Sequence, residues 1–302
     1  MITFNIKRIL VPVDFSETSM EALSHAIHLA KLNKASITLI NVTETVYPVV
    51  VPVDYPIAYS YNIEAYEKAA VKHSRQHLKK LAERIKKKDG IIINFIATIG
   101  WVKDEIIESS KRMKADIIIM GTHGVKGFRE FLMGSNTFRV VNESECPVLS
   151  IQKHTNELGF KNILVPFRDK PHSREKVDYA VKMAEIYGAS ISVLGIDTDN
   201  DKTQFNKIVK EAEQIKKIVE KHGIACRIKV KSSGYLADDV LRYARKKNAD
   251  LIVAMADLDR MRVSEYFMGP FSQQIVNHSS IPVLSIRPSF NPDTIDLHGY
   301  GW

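Results

Sequence analysis

The chain has 302 residues, 45% hydrophobic and 26% charged, with a net charge of +8. That length holds one large domain or two of about 150 residues, and the balance excludes both an unstructured chain and a multi-span membrane protein. Two cysteines, Cys146 and Cys226, exclude a disulfide scaffold and a Cys-rich metal site, and each reads as a buried reduced thiol at the start of an apolar run.

In chain order, Lys7–Val13 is a short apolar run that ends at a turn, and it reads as a strand. Lys7, Arg8 and Asp14 interrupt it, so it does not read as a secretory signal, and a cytoplasmic protein is expected. Met20, Leu23, Ile27 and Ala30 then fall at helical spacing, with Thr18 and Glu21 spaced as a capping box. Ser36–Val42 is a strand. The Tyr- and Pro-rich stretch Tyr47–Tyr61 reads as a long loop, a lid or a partner surface. It lies in the longest apolar segment, Thr45 to Ile63, which Pro48, Pro52, Asp54 and Pro56 break well short of the ~18–20 residues of a membrane span. A helix is expected over 63–88, its Lys86–Lys88 run at a solvated end. Gly90–Thr98 reads as a strand, Val102–Met113 as a helix with Trp101 packed over its start, and Asp116–Gly121 as a strand. A helix from Ser135 and the strand Pro147–Ile151 complete the unit, with Glu143 and Glu145 facing solvent.

The unit then recurs. Ile9-Leu10-Val11-Pro12 returns as Ile163-Leu164-Val165-Pro166 and Ala35-Ser36-Ile37 as Ala189-Ser190-Ile191, both at the same offset. Further on, Gly100 is matched by Gly234 and Pro147–Ile151 by Pro282–Ile286, at shorter offsets that differ by one residue. The chain is therefore two copies of one unit, the second shorter by the Tyr- and Pro-rich stretch. Strands apolar on both faces, alternating with helices, imply a parallel sheet covered on both sides, that is, a doubly wound α/β/α sandwich in each copy. The boundaries fall at 1–153 and 160–288, leaving a tail over 289–302.

In open α/β sheets, ligands bind beyond the carboxyl ends of the strands. Two loops of the first copy stand there. One is Pro12-Val13-Asp14-Phe15-Ser16. The other is Met120-Gly121-Thr122-His123-Gly124-Val125-Lys126-Gly127, continuing to Met133-Gly134-Ser135-Asn136. The glycines permit φ > 0 and close approach of backbone N–H groups. Gly134-Ser135-Asn136 opens a helix whose free N–H groups and dipole favour phosphate, and His123 lies within reach of one. Asp14 suits a ribose hydroxyl better than a phosphate.

Gly121-x2-Gly124-x9-Gly134-Ser135 closely resembles the ATP-binding signature of the universal stress protein family. The start Ile9–Ser16 and the ending Cys146-Pro147-Val148-Leu149 are similar to that family too. The resemblance implies two tandem domains of the adenine nucleotide alpha-hydrolase-like fold. It implies ATP, alone or with Mg2+, held by the first: ribose at Asp14, adenine at the Val42 main chain, and phosphates at Gly121, Gly124, Gly134 and Ser135. Pro12, Val13, Met120, His123, Gly127 and Asn136 belong to the same two loops. The resemblance further implies a pseudo-dimer within the chain through the last strands, and homodimers as further assemblies.

The second copy departs from the signature. Arg168 stands at the place of Asp14, with Asp169 beside it. Asp257 and Asp259 stand in the counterpart of the glycine loop, and Pro270, which has no N–H, stands where Ser135 does. No ATP is expected there. The charge excess reads as scattered, so neither nucleic acid nor membrane is expected as a partner. His25/His28 and His73/His77 are spaced on helix faces but lack a third metal ligand, and they read as packed or solvated. A stress-response nucleotide-binding module without committed turnover leads. A slow ATP hydrolase and a protein-interaction scaffold are the alternatives. Cleavage at the α-phosphate is disfavoured, because Val13-Asp14-Phe15-Ser16 lacks the Ser-Gly-Gly loop of such enzymes.

Overall fold

A computed structural model of the chain describes residues 4–45, 56–122, 134–153, 157–169, 174–198, 200–256 and 271–288, with side chains from Ile63 onward in the second helix and from Gln274 onward in the last. The first half runs β1 (Arg8–Pro12), α1 (Glu17–Asn33), β2 (Ser36–Glu44), α2 (Pro56–Asp89), β3 (Ile93–Gly100), α3 (Val102–Arg112), β4 (Ile117–Gly121), α4 (Ser135–Glu143) and β5 (Val148–Ile151). The second repeats the order: β6 (Asn162–Phe167), α5 (Glu175–Tyr187), β7 (Ser190–Asp197), α6 (Lys202–Lys221), β8 (Cys226–Ser232), α7 (Leu236–Lys246), β9 (Leu251–Met255), α8 (Phe271–His278) and β10 (Val283–Ile286).

The ten strands among the described residues form one sheet, in the order β3-β2-β1-β4-β5-β10-β9-β6-β7-β8. Every pair within a half is parallel. The join is antiparallel: β10 lies on β5 with Leu284 opposite Leu149, and the Ser150 hydroxyl donates to the Val283 carbonyl at 3.1 Å. The central strands are buried throughout, as Leu251–Met255 illustrates, because helices cover both faces. Along α1 the buried Ala22, Leu23, Ala26, Leu29 and Ala30 form a 3–4 stripe onto the sheet. On the α1/α2 face one core runs unbroken through both halves to α5 and α6, while the other face holds two smaller cores. No described helix is long and apolar enough to cross a membrane.

The repeat extends to small devices. Asp116 accepts from the Lys7 and Arg8 backbone N–H groups, both at 2.8 Å. Asp250, its counterpart in the second half, accepts from Lys161 and Asn162 at 2.8 and 2.9 Å, and burial still pushes its carboxyl above the ordinary value. Lys34 ends α1 in the left-handed region at φ 54, and Gly188 ends α5 at φ 66.

Several expectations change. Helix α1 starts at Glu17 with Ser16 as its cap, accepting from the Ser19 N–H, so Thr18 and Glu21 are not the capping pair. Helix α2 starts at Pro56, so part of the expected loop is helical, while 46–55 and the tail beyond 288 lie outside the described residues. Trp101, the residue before α3, is 60% exposed rather than covered. Cys226 is buried but Cys146 only partly so. The second unit opens on Phe160, buried against His25 and Tyr187. The charge is not scattered: between positions 63 and 89, α2 carries nine Lys and Arg against four Asp and Glu.

Candidate functional site

The turn after β1 is built by its own side chains. The Asp14 carboxylate accepts from the Ser16 N–H at 3.0 Å and from the Ser16 hydroxyl at 2.6 Å, which makes an Asx turn into the cap of α1. Phe15 between them takes φ 64, a conformation costing a bulky residue about 1–2 kcal/mol. Its ring lies edge-on to His77 of α2 at 5.6 Å, and His77 contacts His73 at 4.2 Å. The Val13 carbonyl accepts from the Asn41 amide at 2.6 Å, and the Asn41 oxygen accepts from the buried Ser74 hydroxyl of α2, also at 2.6 Å. Strand β2 and helix α2 thus fix the loop that presents Asp14.

The turn after β4 is placed by close approach. A Cβ on Gly121 would lie 2.9 Å from the Thr18 carbonyl carbon and oxygen, so the end of β4 touches the first-turn backbone of α1. Neither Gly121 nor Gly134 has φ > 0; at Gly121 space, not backbone conformation, demands glycine. The Gly134 N–H donates to the Thr122 carbonyl at 2.8 Å, so the described residues on either side of 123–133 meet at one point. The Thr137 hydroxyl donates to the Gly121 carbonyl at 3.0 Å. Thr122 is fully buried; its hydroxyl donates to Gln152 at 2.8 Å, whose amide reaches the Val276 carbonyl of α8 at 3.4 Å. The base of the first-half loop is thereby tied to the second half.

Gly134 caps α4, with Ser135 exposed and Asn136 half-buried in its first turn. First-turn amides have no partner within a helix, and they sit at the positive end of its dipole. Pro12 and Val42 are half-buried, Val13 and Met120 buried, and Val42 stands opposite Thr98. The site thus brings together Asp14, Gly121, Gly134, Ser135 and Asn136 at the carboxyl ends of β1 and β4. His123, Gly124 and Gly127 lie outside the described residues. Thr18, Asn41, Ser74, Thr122, Thr137 and Gln152 position the loops, a role that the sequence did not assign to any of them. Thr18 and Thr122 sit beside the motif residues and were findable; Asn41, Ser74 and Gln152 gave no sequence signal. Such an arrangement offers backbone donors to an anion and a carboxylate to a hydroxyl. Among the described residues no group of three or more His, Cys, Asp and Glu is placed to hold a metal ion.

In the second half, Arg168 occupies the place of Asp14 and Ile196 that of Val42. Asp169 is engaged by Lys207 of α6 at 2.8 Å, and that carboxylate holds the lysine above its ordinary value. Residues 257–270, the counterpart of the glycine loop, lie outside the described residues.

The fold defines an α/β protein built from two copies of one unit, with loops gathered at the carboxyl ends of β1 and β4 in the first. The profile of the Universal stress protein family matches residues 5–152 and again 159–287. The chain belongs to the universal stress protein family, once in each half. One universal stress protein of Methanocaldococcus jannaschii is 33% identical over 151 residues, covering 50% of this chain and 85% of its own. A second from that organism is 29% identical over 157 residues, covering 49% and 95%. The crystal structure of a universal stress protein from Archaeoglobus fulgidus has the same fold across 94% of this chain and 97% of its own, with a TM-score of 0.71 at 21% identity.

Proposed function

We propose that the chain is a stress-response module that binds ATP in its first half, residues 1–153, and regulates through occupancy rather than turnover. The convergence of the Asp14 turn, the Gly121 contact with α1 and the opening of α4 carries this reading. A ribose hydroxyl donates to Asp14, the adenine lies along the main chain at Val42, and the phosphates take the amides of the glycine loop and of Ser135 and Asn136. Mg2+ accompanies the phosphates rather than a protein cluster. The second half, residues 160–288, binds no ATP in this manner. Arg168 puts a cation where the ribose carboxylate belongs, and Asp257 and Asp259 repel phosphate. It serves instead as the partner of the first, in a pseudo-dimer joined through β5 and β10.

The test is direct. Protein purified without added nucleotide is denatured, and the released small molecules are identified by mass spectrometry, beside Gly124→Asp. About one adenine nucleotide per chain from the wild type and none from the variant is the expected result. No release, together with flat calorimetry against ATP and magnesium, overturns the reading in favour of a scaffold. Phosphate release from ATP at a rate well above background overturns the regulatory part alone.

A further inference from the structure

The two outer edges of the sheet differ. Strand β8 carries Arg227 and Lys229 exposed along its edge, the usual guard against pairing with another chain. Strand β3, at the other edge, runs from Ile93 to Gly100 without one charged residue, and its side chains from Phe95 onward are only half-buried. Among the described residues only β2 pairs with it, so alternate N–H and C=O groups along its length face outward.

Beside that edge stands the basic helix. At about 100° per residue, Lys68, Arg75 and Lys79 lie on the flank of α2 opposite His73 and His77. The His pair faces Phe15, on the β1 side, so the basic flank overlooks the outer edge of β3. A cleft of about 490 Å3 opens there, with Ile99 of β3 and Val71 as its apolar wall and Lys68, Lys72 and Arg75 among its lining residues. Glu64 pairs with Lys68 at 2.6 Å, whereas Lys72 and Arg75 have no ion-pair partner among the described residues. Glu67 also lines the cleft, and one of its carboxylate oxygens is buried without a hydrogen bond.

We propose that this edge receives an acidic, extended polypeptide segment of a partner protein, which adds as a strand to β3 and sets its carboxylates on Lys72 and Arg75. An open backbone edge selects a polypeptide, because a nucleic acid has no ladder to offer it. Lys72 and Arg75, with no ion-pair partner among the described residues, select acidic side chains. A second copy of this chain is disfavoured as occupant, because edge-to-edge pairing of two β3 strands brings two strongly basic α2 helices together.

The full chain is titrated into a fluorescein-labelled peptide that alternates Glu with Val and Thr, and binding is read by anisotropy at low salt. The same peptide with Lys for Glu, and a single-stranded oligodeoxynucleotide, run alongside. The acidic peptide is expected to bind saturably, to be ignored when its charges are reversed, and to slow hydrogen exchange at the β3 amides. Lys72→Glu with Arg75→Glu weakens binding about tenfold, and Lys229→Glu on the far edge leaves it unchanged. All three positions are exposed, and unchanged melting curves establish that the variants fold. Absence of saturable binding overturns the proposal. So does binding that leaves β3 exchange unaltered, or tighter binding of the oligodeoxynucleotide through the same two residues, which assigns the stripe to nucleic acid.

Discussion

Gly121→Ala is the sharpest perturbation of the site that this fold permits. The added methyl would stand 2.9 Å from the Thr18 carbonyl carbon and oxygen and 3.0 Å from the Thr18 Cβ. Carbon atoms rest at about 3.5–4.0 Å, so β4 and the first turn of α1 must part by roughly 0.5–1 Å. Both partners are backbone at the ends of packed elements, and no flexible side chain is available to yield. Forcing a methyl into such a contact costs about 1–3 kcal/mol, which lowers the melting temperature by roughly 2–12 °C for halves of this size. The same displacement moves the Asp14 turn away from α4, so ATP affinity falls as well. Gly234→Ala is the control: nothing lies within 4 Å of its added methyl, and its effect stays within about 0.5 kcal/mol. Scanning calorimetry of the two variants and titration calorimetry with ATP test the argument. If Gly121→Ala melts within about 1 °C of wild type and binds ATP equally well, backbone contact does not set the spacing of the two loops.

Other outcomes follow from the same geometry. Lys34→Gly removes a left-handed lysine where the repeat already uses Gly188: relief of about 1–2 kcal/mol of backbone strain outweighs the roughly 0.4–1 kcal/mol that the freer unfolded chain costs, and the protein gains up to about 1 kcal/mol in urea denaturation. Gln152→Leu leaves the buried Thr122 hydroxyl and the Val276 carbonyl without their shared partner, and it lowers stability by about 1–3 kcal/mol in the same assay. Burial pushes the Asp239 carboxyl up, but the Lys231 ammonium at 2.6 Å, the Ser233 hydroxyl and Arg242 outweigh it, and the carboxyl titrates below its ordinary value. Its contribution to stability is therefore complete at neutral pH and is lost as pH falls below the ordinary carboxylate value of about 4. Asp239→Asn accordingly flattens the acid limb of the melting temperature against pH.

Most of the architecture was legible because the fold writes itself twice. Repeated tetrads such as Ile9–Pro12 and Ile163–Pro166 fixed the register of the two copies, and runs apolar on both faces, such as Ile117–Met120, declared a parallel sheet. What the sequence hid depends on neighbours remote in the chain. The start of α1 was misplaced because Asp14 and Ser16 settle the cap between themselves before Thr18 and Glu21 come into play. The onset of α2 was misplaced because Tyr and Pro read locally as loop, although a proline is accepted at the start of a helix. Gly121 was recognised as special for the wrong reason, since its contact with Thr18 joins positions far apart in the chain and leaves no local trace. The basic face of α2 escaped notice because its lysines and arginines alternate with Ala, Gln and His along the chain and gather only when wound into a helix.

The join between the halves also bears on how the chain is made. Strands β5 and β10 carry the same four residues, Val-Leu-Ser-Ile, and each is the partner the other requires. On the ribosome the first half is complete long before its partner strand exists, for Val148 and Val283 stand a whole domain apart. At about 5–20 residues per second, β5 waits roughly 7–27 s with an uncharged edge open. Neighbouring nascent chains on one message present the identical tetrapeptide during that interval. The joint that closes the sheet within one chain is therefore also the place where a second chain would compete to close it, and crowded synthesis would favour that competition.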